Sequence, residues 1–221
     1  MTVSNKSSAA LKRKSPGKRA YHHGNLRRAL LDAALAMVEK EGPRGVSLRA
    51  VARFAGVSPA APYRHFAGKE GLLAAVAEEG FRALESKMRA ACGETDGLAL
   101  AEFRAIGYAY VRFAASNPSH FRVMFGPEIS DKSEHPSLRE ASDKASQIIA
   151  DAIAKCQRPD LEGGDTDPHR LFISAWATFH GLATLIVDGQ LSDSVGSDAE
   201  LEALGNSVTD VIYRGLSFSG L

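Results

Sequence analysis

The sequence predicts an all-α fold of about nine helices, with an N-terminal three-helix unit leading into a larger helical domain. Three observations carry this reading. Apolar residues recur at three- and four-residue spacing over most of the chain. Helix-breaking pairs, Gly42-Pro43, Asn117-Pro118 and Gly126-Pro127, punctuate these stretches. No segment bounded by turn residues alternates apolar and polar side chains as a half-buried strand would.

The first helix opens at Asn25, whose side chain suits an N-cap, and carries Leu26, Leu30, Ala34 and Met37 on one stripe until Gly42-Pro43. Ser47 caps a second, shorter helix with Leu48, Val51 and Ala52 inward, and Gly56 stops it. Ser58-Pro59 opens a third helix that closes near Phe66. A long fourth helix starts near Lys69. After a loop at 93–97, helices are expected from Leu98 to Ser116 and from His120 to Phe125. A polar loop then runs to Pro136, and a helix capped by Ser137 follows it. Arg158 to Asp167 reads as a linker, Pro168 to Asp188 as a strongly apolar helix, and Glu200 to Gly215 as a last amphipathic one.

The 221 residues include 27 basic and 26 acidic side chains, a net charge of +1 that conceals an asymmetry. Residues 1–70 hold 14 bases and 4 acids, and residues 71–221 hold 13 and 22. A basic segment joined to an acidic one points to a polyanion-binding module attached to something else. Residues 1–20 hold Lys12, Arg13, Lys14, Lys18 and Arg19 with little apolar content and read as a flexible basic arm. Hydrophobic residues at 44% exclude wholesale disorder. No run approaches the ~18 apolar residues of a membrane span. Cys92 and Cys156 match no metal or redox spacing, which fits inert thiols in a reducing cytoplasm. His22-His23, His120, His135, His169 and His180 have no ligand partners at metal spacing, so neither a metal nor a cofactor is expected.

Ser47 to Lys69 is the informative stretch. Two short helices meet at a tight turn, with small Ala52 at the crossing, Gly56 where the chain needs φ > 0, and Val57 beneath. In such a helix-turn-helix the second helix enters the major groove with its N-terminal residues toward base edges. Phe54 and Phe66 are expected in the core of this unit.

Tyr63-Arg64-His65-Phe66 with Gly68-Lys69-Glu70 and Leu72-Leu73 resembles the end of the DNA-binding domain of TetR-family transcriptional regulators. Glu41-Gly42, Val46-Ser47-Leu48, Val51-Ala52 and Ala55-Gly56-Val57-Ser58 extend the resemblance over residues 24–84. Trp176, His180 and Gly181 are similar to the W-x-x-x-H-G signature of one C-terminal domain type in that family. Pro62 departs from the pattern: it deletes an early backbone bond and crowds the Ser58 carbonyl, so the recognition helix starts tight or distorted.

The resemblance implies a division into arm (1–20), DNA-binding domain (21–84) and ligand-sensing, dimerising domain (85–221). It implies that Tyr63 and His65 reach the DNA backbone or a groove edge, that Lys69 meets a phosphate, and that Ser47 caps its helix and donates to phosphate. Ser58 stands at the start of the recognition helix. Ala60 and Ala61 suit contact with thymine methyls, and Arg49 and Arg64 are long enough for guanine or phosphate. It implies an effector cavity among Phe103, Tyr110, Met124, Phe125, Trp176 and His180, whose aromatic and thioether walls suit an apolar or aromatic small molecule. For His180, a satisfied core histidine is the competing reading. A homodimer is implied, its interface on the last two helices: Leu171, Ala175, Leu182 and Ile186, then Leu201, Leu204, Val208, Val211 and Ile212. Completion of the monomer core is the alternative for these residues.

No nucleotide-binding, nucleophile-elbow or zinc-protease motif is present, so an enzyme is not expected. The function implied is a cytoplasmic repressor released from a palindromic operator by a small-molecule effector. An activator and a low-specificity DNA-coating protein are the alternatives. Deleting residues 1–20 is expected to flatten the log–log salt dependence of DNA affinity by about 0.9 for each phosphate that the arm neutralises, while site preference persists. An unchanged slope in a binding titration would place the arm off the DNA.

Overall fold

The computed structural model describes residues 26–156 and 167–217, with side chains to residue 214. The arm at 1–20, Asn25, the His22-His23 pair and most of the Arg158–Asp167 linker lie outside the described residues. Regular structure among the described residues is all helical. In chain order the helices are α1 (Leu26–Gly45), α2 (Leu48–Phe54), α3 (Lys69–Gly93), α4 (Ala99–Ser116), α5 (Pro118–Phe125), α6 (Pro136–Cys156), α7 (Pro168–Val187) and α8 (Asp198–Ser217). Two short 3-10 turns, Pro62–Arg64 and Lys132–Glu134, complete the regular structure.

α1 buries Leu30, Leu31, Ala34 and Val38 and breaks at Gly42, where φ is 72° and the chain turns before Pro43. The Ser47 hydroxyl caps α2 by accepting from the Ala50 N–H at 3.3 Å. Leu48, Val51 and Ala52 occupy the buried face of this seven-residue helix. Phe54 follows Ala52 by two positions and so falls on the opposite side. It is 54% exposed, with Lys40 Nζ 5.6 Å above its ring, which corrects the expectation of a core residue. Phe66 is buried, as expected. Gly56 takes φ 69° at the turn, and Val57 packs against the core.

The third predicted helix is not an α-helix. Ala61 N–H bonds to Ser58 O, Arg64 to Ala61 and His65 to Pro62, all in i→i−3 register, and Phe66 to Pro62 is the one i→i−4 bond of the segment. Pro62 has no N–H to give Ser58, and its ring is buried, so the segment closes as turns and one 3-10 turn. The count of α-helices among the described residues is therefore eight, not nine.

α3 is the spine. Leu72, Leu73 and Val76 pack with α1, while Phe81, Leu84 and Met88 pack among α4, α5 and α6, and all six are buried. α5 crosses close at Gly80, where a methyl group would collide with Met124 Sδ. α4 lies between α3 on one side and α7 and α8 on the other. Arg104–Asp210 and Arg112–Asp198 tie α4 to α8, and Lys155–Glu102 ties α6 to α4. The basic partners of these pairs are well exposed, so solvent and salt screen them and they add little to stability.

Where α4 meets α7 and α8, Gly107 faces Phe179 and the buried Thr209. A Cβ there would come within 2.7 Å of Phe179 Cε1 and 2.8 Å of Thr209 Oγ1. Gly107→Ala gains ~1 kcal/mol of helix propensity and loses ~1–3 kcal/mol to overpacking of a buried aromatic. A net destabilisation of about 1 kcal/mol is expected, read as a lower urea midpoint. A raised midpoint would show that Phe179 yields freely.

Candidate functional site

Between Arg44 and Lys69 the sequence holds five basic residues and no acid. α2 and the segment after it present these on one surface. Ser47, Arg49, Ser58, Ala60, Tyr63, Arg64 and His65 are all exposed, Tyr63 at 57%, and Ala61 is partly exposed. Arg53, one turn from Arg49, joins it in a groove walled by Val57 and Pro59. Arg53 was not anticipated, although its i+4 spacing from Arg49 was visible. Lys69 has a structural partner: its ammonium donates to the Arg44 carbonyl at 2.8 Å and ties the end of α1 to the start of α3.

A second feature lies among α3–α7. Tyr110, Phe125 and Trp176, with Phe81 and Phe172, wall a cavity of about 140 Å³ floored by α6. The Tyr110 hydroxyl is 3.0 Å from His180 Nδ1, and His180 stacks on Phe121 with centroids 5.1 Å apart. His180 also meets Phe125 edge-on at 4.5 Å. Phe125 and His180 border a wider cleft of about 450 Å³ on the other side, which reaches Gly42, Arg44 and Glu128. Of the six expected cavity residues, four come together here. Phe103 packs on Phe179 and Met124 on Gly80, both fully buried away from either opening. Phe81, Phe121, Phe172 and Lys132 were missed. The i, i+4 series Phe172, Trp176, His180 and the pair Phe121, Phe125 were the available signal.

Lys132 projects from the 3-10 turn into the cavity, its Nζ 4.8 Å from the Phe81 centroid and 5.6 Å from Phe125. Burial lowers its pKa below the usual lysine value. Burial, and then the Lys132 charge, lowers that of His180. The loop bearing Lys132 also touches the N-terminal unit. Glu70, in the first turn of α3, accepts from Ser130 N–H and Oγ–H at 2.9 Å each, and these bonds depress its pKa. Arg44 Nε lies 3.8 Å from Glu128. Cys156 is buried and donates to Ala99 O, and burial pushes its thiol up to about 11, so little thiolate exists near neutrality.

The expected interface residues divide. Ala175, Leu182 and Leu201 are buried within the chain. Leu204, Val208 and Ile186 are partly buried against the small cluster of Val111, Leu182 and Leu201, and Leu171 and Ile212 against the main core. Val211, at 71%, is the exposed member. α7 instead turns Ile173, Ala177, Gly181 and Leu185 outward. By length and composition alone α7 is apolar enough to cross a membrane, and 22% of its apolar stretch is buried within the chain.

A helix-turn-helix with a basic exposed surface, carried on a helical domain with an aromatic cavity, defines a regulator of the DNA-binding class. Residues 30–76 match the profile described as bacterial regulatory proteins of the tetR family. Residues 103–210 match the tetracyclin repressor-like C-terminal domain. The chain belongs to the TetR family. It is 28% identical over 130 residues to an uncharacterized HTH-type transcriptional regulator, YobS, of Bacillus subtilis, covering 59% of this chain and 60% of that one. It is 34% identical over 90 residues to the HTH-type transcriptional regulator BetI of Brucella anthropi, covering 40% of this chain and 46% of that one. The chain thus spans about half of the curated relatives it matches. A solved structure of a protein with unknown function from Rhodococcus sp. RHA1 is 35% identical, with TM-score 0.73 and coverage of 91% and 100%. The transcriptional regulator FadR of Bacillus subtilis, solved in complex with stearoyl-CoA, shares the fold at TM-score 0.67 and 18% identity, with coverage of 85% and 98%.

The lowered pKa of His180 sets a pH dependence. An unfolded imidazole titrates near ~6.5, so below that value the unfolded chain binds a proton that folded His180 resists. This contribution is full above about pH 6.5 and falls as pH drops below it. Melting at about pH 5.5 is expected below that at about pH 7.5. The gap should shrink in His180→Asn and again when His120, lowered in the same direction, is also replaced. An undiminished gap in the double variant would assign the effect elsewhere.

Proposed function

We propose that this protein is a cytoplasmic, homodimeric repressor that holds a palindromic operator and releases it when a small apolar effector enters the aromatic cavity. The carrying observation is the acid-free basic surface from Arg44 to Lys69, with Tyr63 and the three residues Arg49, Arg53 and Arg64 turned to solvent. On this reading residues 21–84 form the DNA-binding domain, 85–221 sense and dimerise, and 1–20 trail along the duplex. Arg49, Arg53 and Arg64 meet phosphates or guanines, Ser47, Ser58, Tyr63 and His65 meet the backbone, and Ala60 and Ala61 face thymine methyls. Lys69 acts by joining α1 to α3 as well as by its charge.

Two copies place two such surfaces on half-sites about one helical turn or more apart, which is why a dimer is needed. The outward Ile173, Ala177, Gly181 and Leu185 of α7, continued by Val211 of α8, supply an apolar face suited to a two-fold contact. The effector reading rests on Tyr110, Phe125, Trp176 and His180. FadR of Bacillus subtilis holds stearoyl-CoA in the same fold. The cavity here, at about 140 Å³, has room for a ring-sized molecule.

One set of measurements tests the proposal, with DNA from upstream of the gene as probe. Tyr63→Ala should weaken binding about uniformly across DNA sequences while still sedimenting as a dimer, since a backbone contact carries affinity and no sequence information. Leu185→Asp should sediment as a folded monomer and lose site-specific binding. Full affinity in Tyr63→Ala, or a wild-type monomer at micromolar concentration, would refute the proposal.

A further inference from the structure

Lys132 is a charge in an aromatic place. Its ammonium stands over Phe81 and Phe125, and it lines the cavity with Trp176. No ion pair or hydrogen bond reaches its ammonium among the described residues. The acids beside it in sequence are turned to other tasks: Asp131 accepts from Ser133 N–H at 2.7 Å, and Glu134 is exposed. Burial alone accounts for its lowered pKa, with no carboxylate opposing it. Ser142 and Ser146, one turn apart on α6, line the same cavity, and their hydroxyls have no protein partner among the described residues. A half-buried ammonium costs free energy that two ring faces offset only in part. An anion brought into the cavity would recover the rest as a charge-assisted hydrogen bond in a low-dielectric setting.

Size and shape narrow the ligand further. A cavity of about 150 Å³ takes up a molecule the size of benzene, and this one measures about 140 Å³. Phe172 and Trp176 lie nearly parallel, 14° apart, and give the walls flat faces. One cation calls for one negative charge, and it disfavours a quaternary ammonium even though aromatic walls would otherwise suit one.

We propose that the cavity is built for a single-ring aromatic carboxylate, whose carboxylate pairs with Lys132 and accepts from the Ser142 and Ser146 hydroxyls while its ring lies among Phe172, Trp176 and Phe125. This deepens the effector reading given above and rests on it. The single tryptophan, Trp176, reports occupancy directly.

The test titrates the full-length protein with benzoate, its neutral isostere benzamide, and benzylammonium, reading Trp176 fluorescence and retention of the upstream DNA in parallel. Benzoate should bind at least about tenfold more tightly than either of the others, as a charge-assisted bond in a low-dielectric site implies. Lys132→Met should erase that preference while keeping the wild-type melting profile, and Lys132→Arg should keep most of it. Equal binding of benzamide, with DNA still released, would overturn the charge assignment and leave the cavity as the effector site. A preference unchanged in Lys132→Met would overturn it too. Silence of Trp176 toward all three ligands, with DNA binding intact, would overturn both the ligand class and the placing of the effector in this cavity, leaving the DNA-binding reading standing.

Discussion

The structure depends on one constraint: α3 threads a single continuous core that joins the N-terminal unit to the domain beyond it. Its 25 residues extend roughly 37 Å at 1.5 Å per residue. Leu72, Leu73 and Val76 complete the N-terminal unit, while Phe81, Leu84 and Met88 complete the domain beyond. Side chains of this size contribute ~1.5–3 kcal/mol each when buried, so neither end can detach cheaply. Between the two groups Ala77 and Gly80 are small and buried, and Gly80 lets Met124 of α5 lie close.

Much of this was legible in the sequence, because helical periodicity and Gly-Pro punctuation are local signals. The long α3, the break at Gly42, the cap at Ser47 and the turn at Gly56 all follow from side-chain spacing and backbone preference. The segment after Ser58 was legible only in part. Ser58-Pro59 signals a helix start, whereas Pro62, four residues on from Ser58, removes the bond that would propagate it. Phe54 reads as core by hydrophobicity alone, whereas its angle on a seven-residue helix turns it to solvent.

What the sequence could not disclose was which neighbour each apolar stripe meets. The stripe of α8 reads as an interface in isolation, yet Leu201, Leu204 and Val208 turn toward α4. Gly205 lies against Tyr108, and Thr209 is buried where Gly107 makes room. α7 behaves in the opposite way. Its large residues Phe179 and Leu182 go inward, and the face left outside is of mixed size, with Ala177 and Gly181 between Ile173 and Leu185. Lys132 was equally hidden, since a lysine in a polar loop reads as solvated until Phe81 and Phe125 are seen beneath it.

The loop between α5 and α6 carries Lys132, which faces the cavity, and Ser130, which holds Glu70 at the start of α3. Two residues of backbone reach at most about 7 Å, and the Asp131 side chain, bonded to Ser133 N–H, stiffens even that span. No slack lies between the two attachments. A residue change that retunes the chemistry at one end therefore alters the anchorage at the other. On the effector reading proposed above, a change of ligand preference at Lys132 would therefore bear on the seating of Glu70 at the start of α3.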